Sequence, residues 1–329
     1  MKRIKSLLVA TIAVILITGC GNSESASSNK GVESEVKNTN EKEKVNVKDT
    51  NADAPKDQGE YEVWFEGEAN RKGKLITLKG RTNLLPESGL VIWLDSVEGT
   101  IIGGRGDTQV NEDGTFETEM KIPKNSDGLL KVQVKFEPST DNQPIKDHYG
   151  ENGEKLKGPF VRLQEESDMQ QNITLLTLEI PQDESNASAK IKKPEWEKPE
   201  DYGAPTIRLD EPDIQKDDKY LYIEGKSNLL EGTRLKGSLD IPNYIVSGLA
   251  DVADVNPDGS YKLIIEKPSS MNKLKDVKEY EVVLSVSPAD NQWKSNLEVY
   301  GVNGEKFMGD YVVDQNGKKE IEKRLSISE

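Results

Sequence analysis

Histidine and cysteine occur once each in this chain, as His148 and Cys20. With no second cysteine an intramolecular disulfide is excluded, and zinc sites, which draw on several His and Cys ligands, are not expected. Any Ser-His-Asp triad would have to use His148, and no G-x-S-x-G elbow leads into a helical pattern; a surface histidine before a turn is the plainer reading. Phosphate-binding fingerprints are missing too, since the glycines of GGRGD near Gly103 sit between strand patterns. Positive charge is in deficit, 44 Lys and Arg against 59 Asp and Glu, for a formal charge of −15. Nucleic-acid binding needs clustered cations, and here Lys and Glu are interspersed, so no nucleic-acid partner is expected. Aromatic residues are only 6%, sparse for a glycosidase cleft, and no organic cofactor is implied. The longest apolar run, Leu7–Ile17, is eleven residues, where a membrane-spanning helix needs about 20.

That short run has a better use. Lys2, Arg3 and Lys5 precede it as a basic n-region, and it ends in LITGC, with Thr18 and Gly19 directly before Cys20. The stretch resembles the lipobox of bacterial lipoproteins, with Leu16 beside Ile17. The resemblance implies that residues 1–19 are a cleaved signal peptide, that Cys20 carries a thioether-linked diacylglycerol, and that the new amino terminus is exposed or acylated. Removing the leader takes three positive and no negative charges off −15, leaving −18. Two or three acyl chains give stable anchoring where one is marginal, so membrane lipid becomes the expected partner of Cys20.

After the anchor, residues 20–60 are rich in Ser, Asn, Lys, Glu and Asp with scarcely an apolar pair. Such composition cannot offset chain entropy, so a disordered stalk is expected, reaching about 35 Å as a flexible coil. A second break, residues 182–205, is rich in Pro and charge and reads as a linker, with Trp196 placed to dock on a neighbour. Two copies of one module surround it, at 61–181 and 206–329. GRTNLLPESGL from Gly80 matches GKSNLLEGTRL from Gly225, and VNEDGTFETEMKIP from Val110 matches VNPDGSYKLIIEKP from Val255, each 145 residues on. FEPSTDNQP pairs with VSPADNQW, and YGENGEKLKG from Tyr149 with YGVNGEKFMG from Tyr300, now 151 residues apart. Several motifs in one order establish a tandem duplication.

Each copy alternates apolar and polar residues over short runs: VWFEGEA, KLITLKG, LVIWLDS, TFETEMKI, LLKVQVKFE and ITLLTLEI in the first. In the second they are TIRLD, YLYIEGK, RLKGSLDI, SYKLIIE, YEVVLSV and RLSIS. Turn signals such as EDG, NSDG and NG separate them. About seven strands per copy with no long helical period predict an all-β chain of two tandem β-sandwiches. On this architecture and the TNL…DG(T/S)(F/Y) pattern each module resembles the immunoglobulin-like or fibronectin-like modules of bacterial surface proteins.

Three features invite a functional reading beside a structural one. Arg105-Gly106-Asp107 spells the integrin tripeptide, but the second copy has SGLADV there, so it is not part of the common design. Asp251, Asp254, Asn256 and Asp258 alternate before Gly259 as hard-cation ligands would, yet the same letters make a tight turn and no Glu follows at the twelfth position. The repeated decapeptide reads as the stop, at Gly150 or Gly301, of a short helix capped by an Asn or Asp in the preceding DNQPIKDH or DNQWKSNLEV, followed by an Asn-Gly turn. As a binding site it would offer Tyr149, Glu154 and Lys155 with Tyr300, Glu305 and Lys306. Taken together these observations predict a non-enzymatic lipoprotein on the extracytoplasmic face of a cell membrane, its Lys/Asn/Glu-rich composition suggesting a low-GC Gram-positive bacterium. Its modules are expected to hold an envelope protein or cell-wall polymer. The alternative is an envelope hydrolase, or an accessory domain of one, using carboxylates the sequence does not single out.

Overall fold

Alternation along the chain becomes two β-sandwiches in series. The computed structural model describes residues 53–98, 101–124, 128–166, 169–181 and 186–329; Cys20, the expected signal peptide and most of the expected stalk lie outside them. The first sandwich comprises β1 (Phe65–Lys72), β2 (Leu75–Thr82), β3 (Gly89–Ser96), β4 (Arg105–Gln109), β5 (Thr115–Lys121), β6 (Leu130–Phe136), helix α1 (Gln143–Tyr149), β7 (Val161–Glu166), β8 (Met169–Ile180) and β9 (Asn186–Lys190). The second comprises β10 (Asp213–Lys216), β11 (Tyr220–Lys226), β12 (Arg234–Asp240), β13 (Ala250–Asp254), β14 (Ser260–Glu266), β15 (Glu279–Val286), helix α2 (Lys294–Tyr300), β16 (Val312–Gln315) and β17 (Lys318–Ser328).

Sheet β5-β2-β1-β9 packs on β4-β3-β6-β8-β7, and β10-β11-β14 on β13-β12-β15-β17-β16. Among the described residues every pairing between these strands is antiparallel. In immunoglobulin lettering the common order is A-B-E against C′-C-F-G. Inward residues at every second position make each core: Ile76 and Leu78 of β2 meet Leu90 and Ile92 of β3 and Val132 and Val134 of β6. Each such side chain contributes roughly 1.5–3 kcal/mol on burial.

Apart from β9, which has no counterpart among the described residues of the second copy, the duplication runs strand for strand. β3, β4 and β5 begin 145 residues before β12, β13 and β14, and α1 and β7 begin 151 before α2 and β16. The shared TNL and SNL letters have a mechanical reason. Asn83, fully buried, accepts from Trp64 N–H (3.1 Å) and donates to Glu62 O (2.9 Å), while Asn228 accepts from Arg208 N–H (2.9 Å) and donates to Thr206 O (2.8 Å). One side-chain amide thus takes the partners a neighbouring strand would supply. For that reason TIRLD makes only isolated bridges at Thr206 and Leu209, and the strand of that region is the later Asp213–Lys216.

Two boundaries differ from expectation. Residues 186–190, inside the expected linker, form β9 on the edge of β1. Before residue 61 the chain already belongs to the fold: Gly59 N–H donates to Asn83 O (2.6 Å) and Trp64 Nε1 to Asp57 (2.7 Å). Trp196 does dock, donating to Pro159 O (2.6 Å) with the Arg162 guanidinium 4.1 Å from its ring centroid.

All described residues belong to one compact unit, and the sandwiches meet within it. Leu129, Tyr220 and Ile264 form a small apolar cluster of their own between the two cores, flanked by Val97 and Tyr222. Polar contacts surround it: Leu129 N–H donates to Tyr220 Oη (2.9 Å), which donates to Glu98 (2.6 Å), and Lys262 pairs with Glu179 (2.7 Å).

Candidate functional site

Tyr149 and Tyr300, offered above as binding residues, are core residues. Both are buried, and their hydroxyls accept from Leu85 N–H and Leu230 N–H, each 2.9 Å, so the YG motif is tied to the NLL motif in either copy. Burial pushes both phenols up, so they stay neutral. Glu154 and Glu305 turn back on the loop backbone, where first their own N–H groups and then Asn152 N–H and Asn303 N–H (2.9 Å each) hold their carboxyls down. Lys155 Nζ donates to Asp147 O (2.9 Å) and His148 O (3.1 Å), and Lys306 Nζ to Glu298 O (2.7 Å), closing α1 and α2. The six side chains serve their own loops and form no common surface. Gly150 and Gly301 stop the helices with φ 95°, ψ 151° and φ 91°, ψ 142°. That is not the left-handed helical conformation expected but the extended one open to glycine, because the carboxylate of Glu154 or Glu305 fills the place of a Cβ.

The calcium candidates are spread along a strand and the turn after it. Asp251 accepts from Ile264 N–H (2.8 Å) and faces Lys131 at 3.5 Å; Asp254 lies 3.9 Å from Arg234 Nε. Asp258 accepts from Ser260 N–H (3.0 Å) and Asn256 donates to Ser260 Oγ (3.1 Å), which is the turn. Among the described residues no three His, Cys or acidic side chains gather as a metal site. A strand that rises about 3.3 Å per residue separates the ligands that a loop would converge. Arg105-Gly106-Asp107 lies along β4 with Arg105 paired to its own Asp107 (3.1 Å), and His148 bonds to Gly59 O.

A cleft of about 480 Å³, which no single sequence motif marks, opens between the sandwiches; a second concavity, of about 520 Å³, lies on the second sandwich against Asp240, Pro242, Glu279 and Tyr280. The first wall of the intermodule cleft is the outer face of β3, β6, β7 and β8, with Trp93, Gln133, Lys135 and Arg162. The opposite wall brings Glu231, Asp254, Asn256 and Trp293. Two tryptophans therefore line it from different modules. Trp93 is 42% exposed and carries Arg105 5.1 Å from its ring centroid, while Trp293 packs against Gly232, where any Cβ would strike the indole. At the floor Arg162 donates to Pro159 O (3.2 Å) and Val161 O (3.1 Å), and burial pushes its guanidinium down to about 10. Glu231 reaches across to accept from Leu163 N–H (2.9 Å) on the free side of edge strand β7, and burial pushes its carboxyl up against the pull of that bond and of Arg162. The surroundings of Asp254 push it up too, though 64% of its side chain is open and water tempers the effect. Gln164 Oε1, in the same lining, is buried with no hydrogen-bond partner. An occupant that stacks on indole and offers a hydroxyl or amide donor matches such a surface.

No protein-family model and no curated protein matches the chain. Among solved structures, the tetra-tandem repeat from the extending region of a large adhesion protein aligns at 12% identity and TM-score 0.22, over 78% of this chain and 46% of that one. This chain therefore spans under half of that structure's length. A Bacteroides uniformis protein, provisionally described as carbohydrate binding, aligns at 11% identity and TM-score 0.21, over 74% of this chain and 91% of its own. A 1.5-MDa bacterial ice-binding adhesin aligns at 10% identity and TM-score 0.18, over 82% and 98%. Superpositions this loose carry no argument about this chain; its fold rests on the strand order above.

Proposed function

We propose that this protein is a lipid-anchored extracytoplasmic binding lipoprotein of a Gram-positive bacterium, holding a cell-wall polymer or envelope protein without chemical change to it. The observation that supports this reading best is the intermodule cleft, where two indoles and a set of amide and charged groups face a space of about 480 Å³. A polymer segment suits an open cleft better than an enclosed small molecule does, and Trp is the residue type most often found to carry binding energy. Purified cell walls should sediment the wild-type protein. Trp93→Ala with Trp293→Ala should weaken that about tenfold or more, on the order of 1.4 kcal/mol or above. Unchanged sedimentation would remove the cleft from the account.

The anchor is tested separately. Cys20→Ala should move the protein from the membrane fraction to the soluble fraction and abolish incorporation of a labelled fatty acid. Retention in the membrane with the label intact would end the lipoprotein reading.

One observation favours the enzymatic alternative: Glu231 and Asp254 both line the cleft, and both carboxyls are pushed up, as acid catalysts are. Against it, Glu231 is already engaged by Leu163 N–H as a strut between the modules. Release of soluble wall fragments by the wild type, lost in Glu231→Gln or Asp254→Asn, would replace binding by hydrolysis.

A further inference from the structure

The two copies differ at one sheet edge. In the first sandwich β1 lies between β2 and β9, with Glu68 opposite Lys190, Ala69 opposite Ala189, Asn70 opposite Ser188 and Arg71 opposite Ala187. Carried 145 residues along the duplication, Glu68, Ala69, Asn70 and Arg71 become Asp213, Ile214, Gln215 and Lys216, the four residues of β10. Among the described residues β10 pairs with β11 alone, and Asp213, Gln215 and Lys216 are exposed. We infer that this edge is a docking strand for an extended segment of a separate polypeptide built like β9: small residues at alternate positions and a lysine opposite Asp213.

The first copy supplies the template. Ala187 and Ala189 of β9 pack against its core, which shows what side-chain size the flank accepts, and Lys190 faces Glu68. Asp213 keeps an acid where Glu68 stands. Its neighbours pair with cations, Asp210 with Arg208 (2.5 Å) and Glu211 with Lys323 (3.1 Å), whereas Asp213 accepts from the Gln215 amide (2.8 Å) as Glu68 does from Asn70 (2.9 Å), an arrangement that leaves Glu68 able to stand opposite Lys190 and Asp213 able to meet an incoming cation. An open edge presents unpaired N–H and C=O groups, and strand addition satisfies them while pockets for alternate side chains give selectivity.

Pro212, Lys216 and the shortness of β10 are devices that discourage indiscriminate pairing. They do not close this register. Gly67, the counterpart of Pro212, enters the β9 pairing only as an acceptor, taking Ile191 N–H at 2.9 Å, and proline keeps its carbonyl. A second difference lies on the same flank. Tyr261 crosses Gly225 as Phe116 crosses Gly80, and its hydroxyl, which feels the Asp210 and Glu211 carboxylates, is buried with no hydrogen-bond partner. A polar atom left so costs stability until something reaches it.

The probe is a synthetic peptide with the sequence of residues 186–193, NASAKIKK, added in excess to the full chain while amide hydrogen exchange is followed by mass spectrometry. Exchange over Asp213–Lys216 should slow, and the peptide's affinity should fall about fivefold in Asp213→Lys, one cross-strand pair having become repulsive. A peptide N-methylated on alternate residues should give no protection. No slowing at β10, or slowing confined to β1 where the peptide would have displaced β9, overturns the inference. Protection of β10 before peptide is added overturns the assignment to a separate polypeptide: concentration-dependent protection would mean a second copy, and concentration-independent protection another part of the same chain.

Discussion

Gly153→Ala and Gly304→Ala are each expected to destabilise their own sandwich by about 3 kcal/mol or more in denaturant unfolding. The two glycines, the repeated NG pair, hold φ 67° and 66°. A Cβ there would drive into the carbonyl oxygen of Asn172 in β8 or of Lys319 in β17. These approaches are tight because the loop is sewn to the strand: Asn172 N–H donates to Asn152 O (2.8 Å) and Lys319 N–H to Asn303 O (2.9 Å). A methyl must push loop and strand apart and break that bond as well as strain the backbone. Gly73 is the control, with φ 58° and nothing within reach of a Cβ, so Gly73→Ala should cost only about 1 kcal/mol. If all three substitutions cost the same, the repeated NG pair is kept for its conformation alone and not for the close approach.

The duplicated letters are legible as structure in the sequence because each serves a turn, a cap or a strand. Period-two alternation marked β2, β3, β5 and β6, and Asn142 before Gln143 and Gly150 after Tyr149 marked α1. β9 escaped because Asn-Ala-Ser-Ala-Lys has no apolar residue large enough to signal a strand; it is one only through its partner β1. The cleft escaped for a different reason: its two walls belong to different modules, and no local pattern joins Trp93 to Trp293. A faint trace was present nonetheless. SYKLIIE carries Leu263, Ile264 and Ile265 in succession, and all three are buried. An alternating strand facing water on one side would not do that; three in a row indicate cover on both faces. The same break appears in β8, where Ile173 is buried without joining the first core.

Ile264→Asp is therefore expected to separate the sandwiches while leaving both folded. Ile264 is 1% exposed but lies in the cluster with Leu129 and Tyr220, outside either module's core. A carboxylate placed there must either lose its water or undo the contact, a choice worth about 3 kcal/mol or more. The polar clasps around it do not compensate for this. A half-buried pair such as Lys262–Glu179 contributes little alone, and the Leu129–Tyr220–Glu98 bonds depend on the same packing to keep water out. Calorimetry should then resolve two separate melting steps, with exchange at the Leu129 amide accelerated and the core amides of β6 and β15 still protected. Ile264→Val, which removes one methyl, should keep the modules docked. Because the cleft exists only while the modules are docked, Ile264→Asp should abolish cell-wall sedimentation as completely as Trp93→Ala with Trp293→Ala, although it changes no residue that lines the cleft. If binding survives the separation, one module alone holds the partner and the cleft between them is not the site.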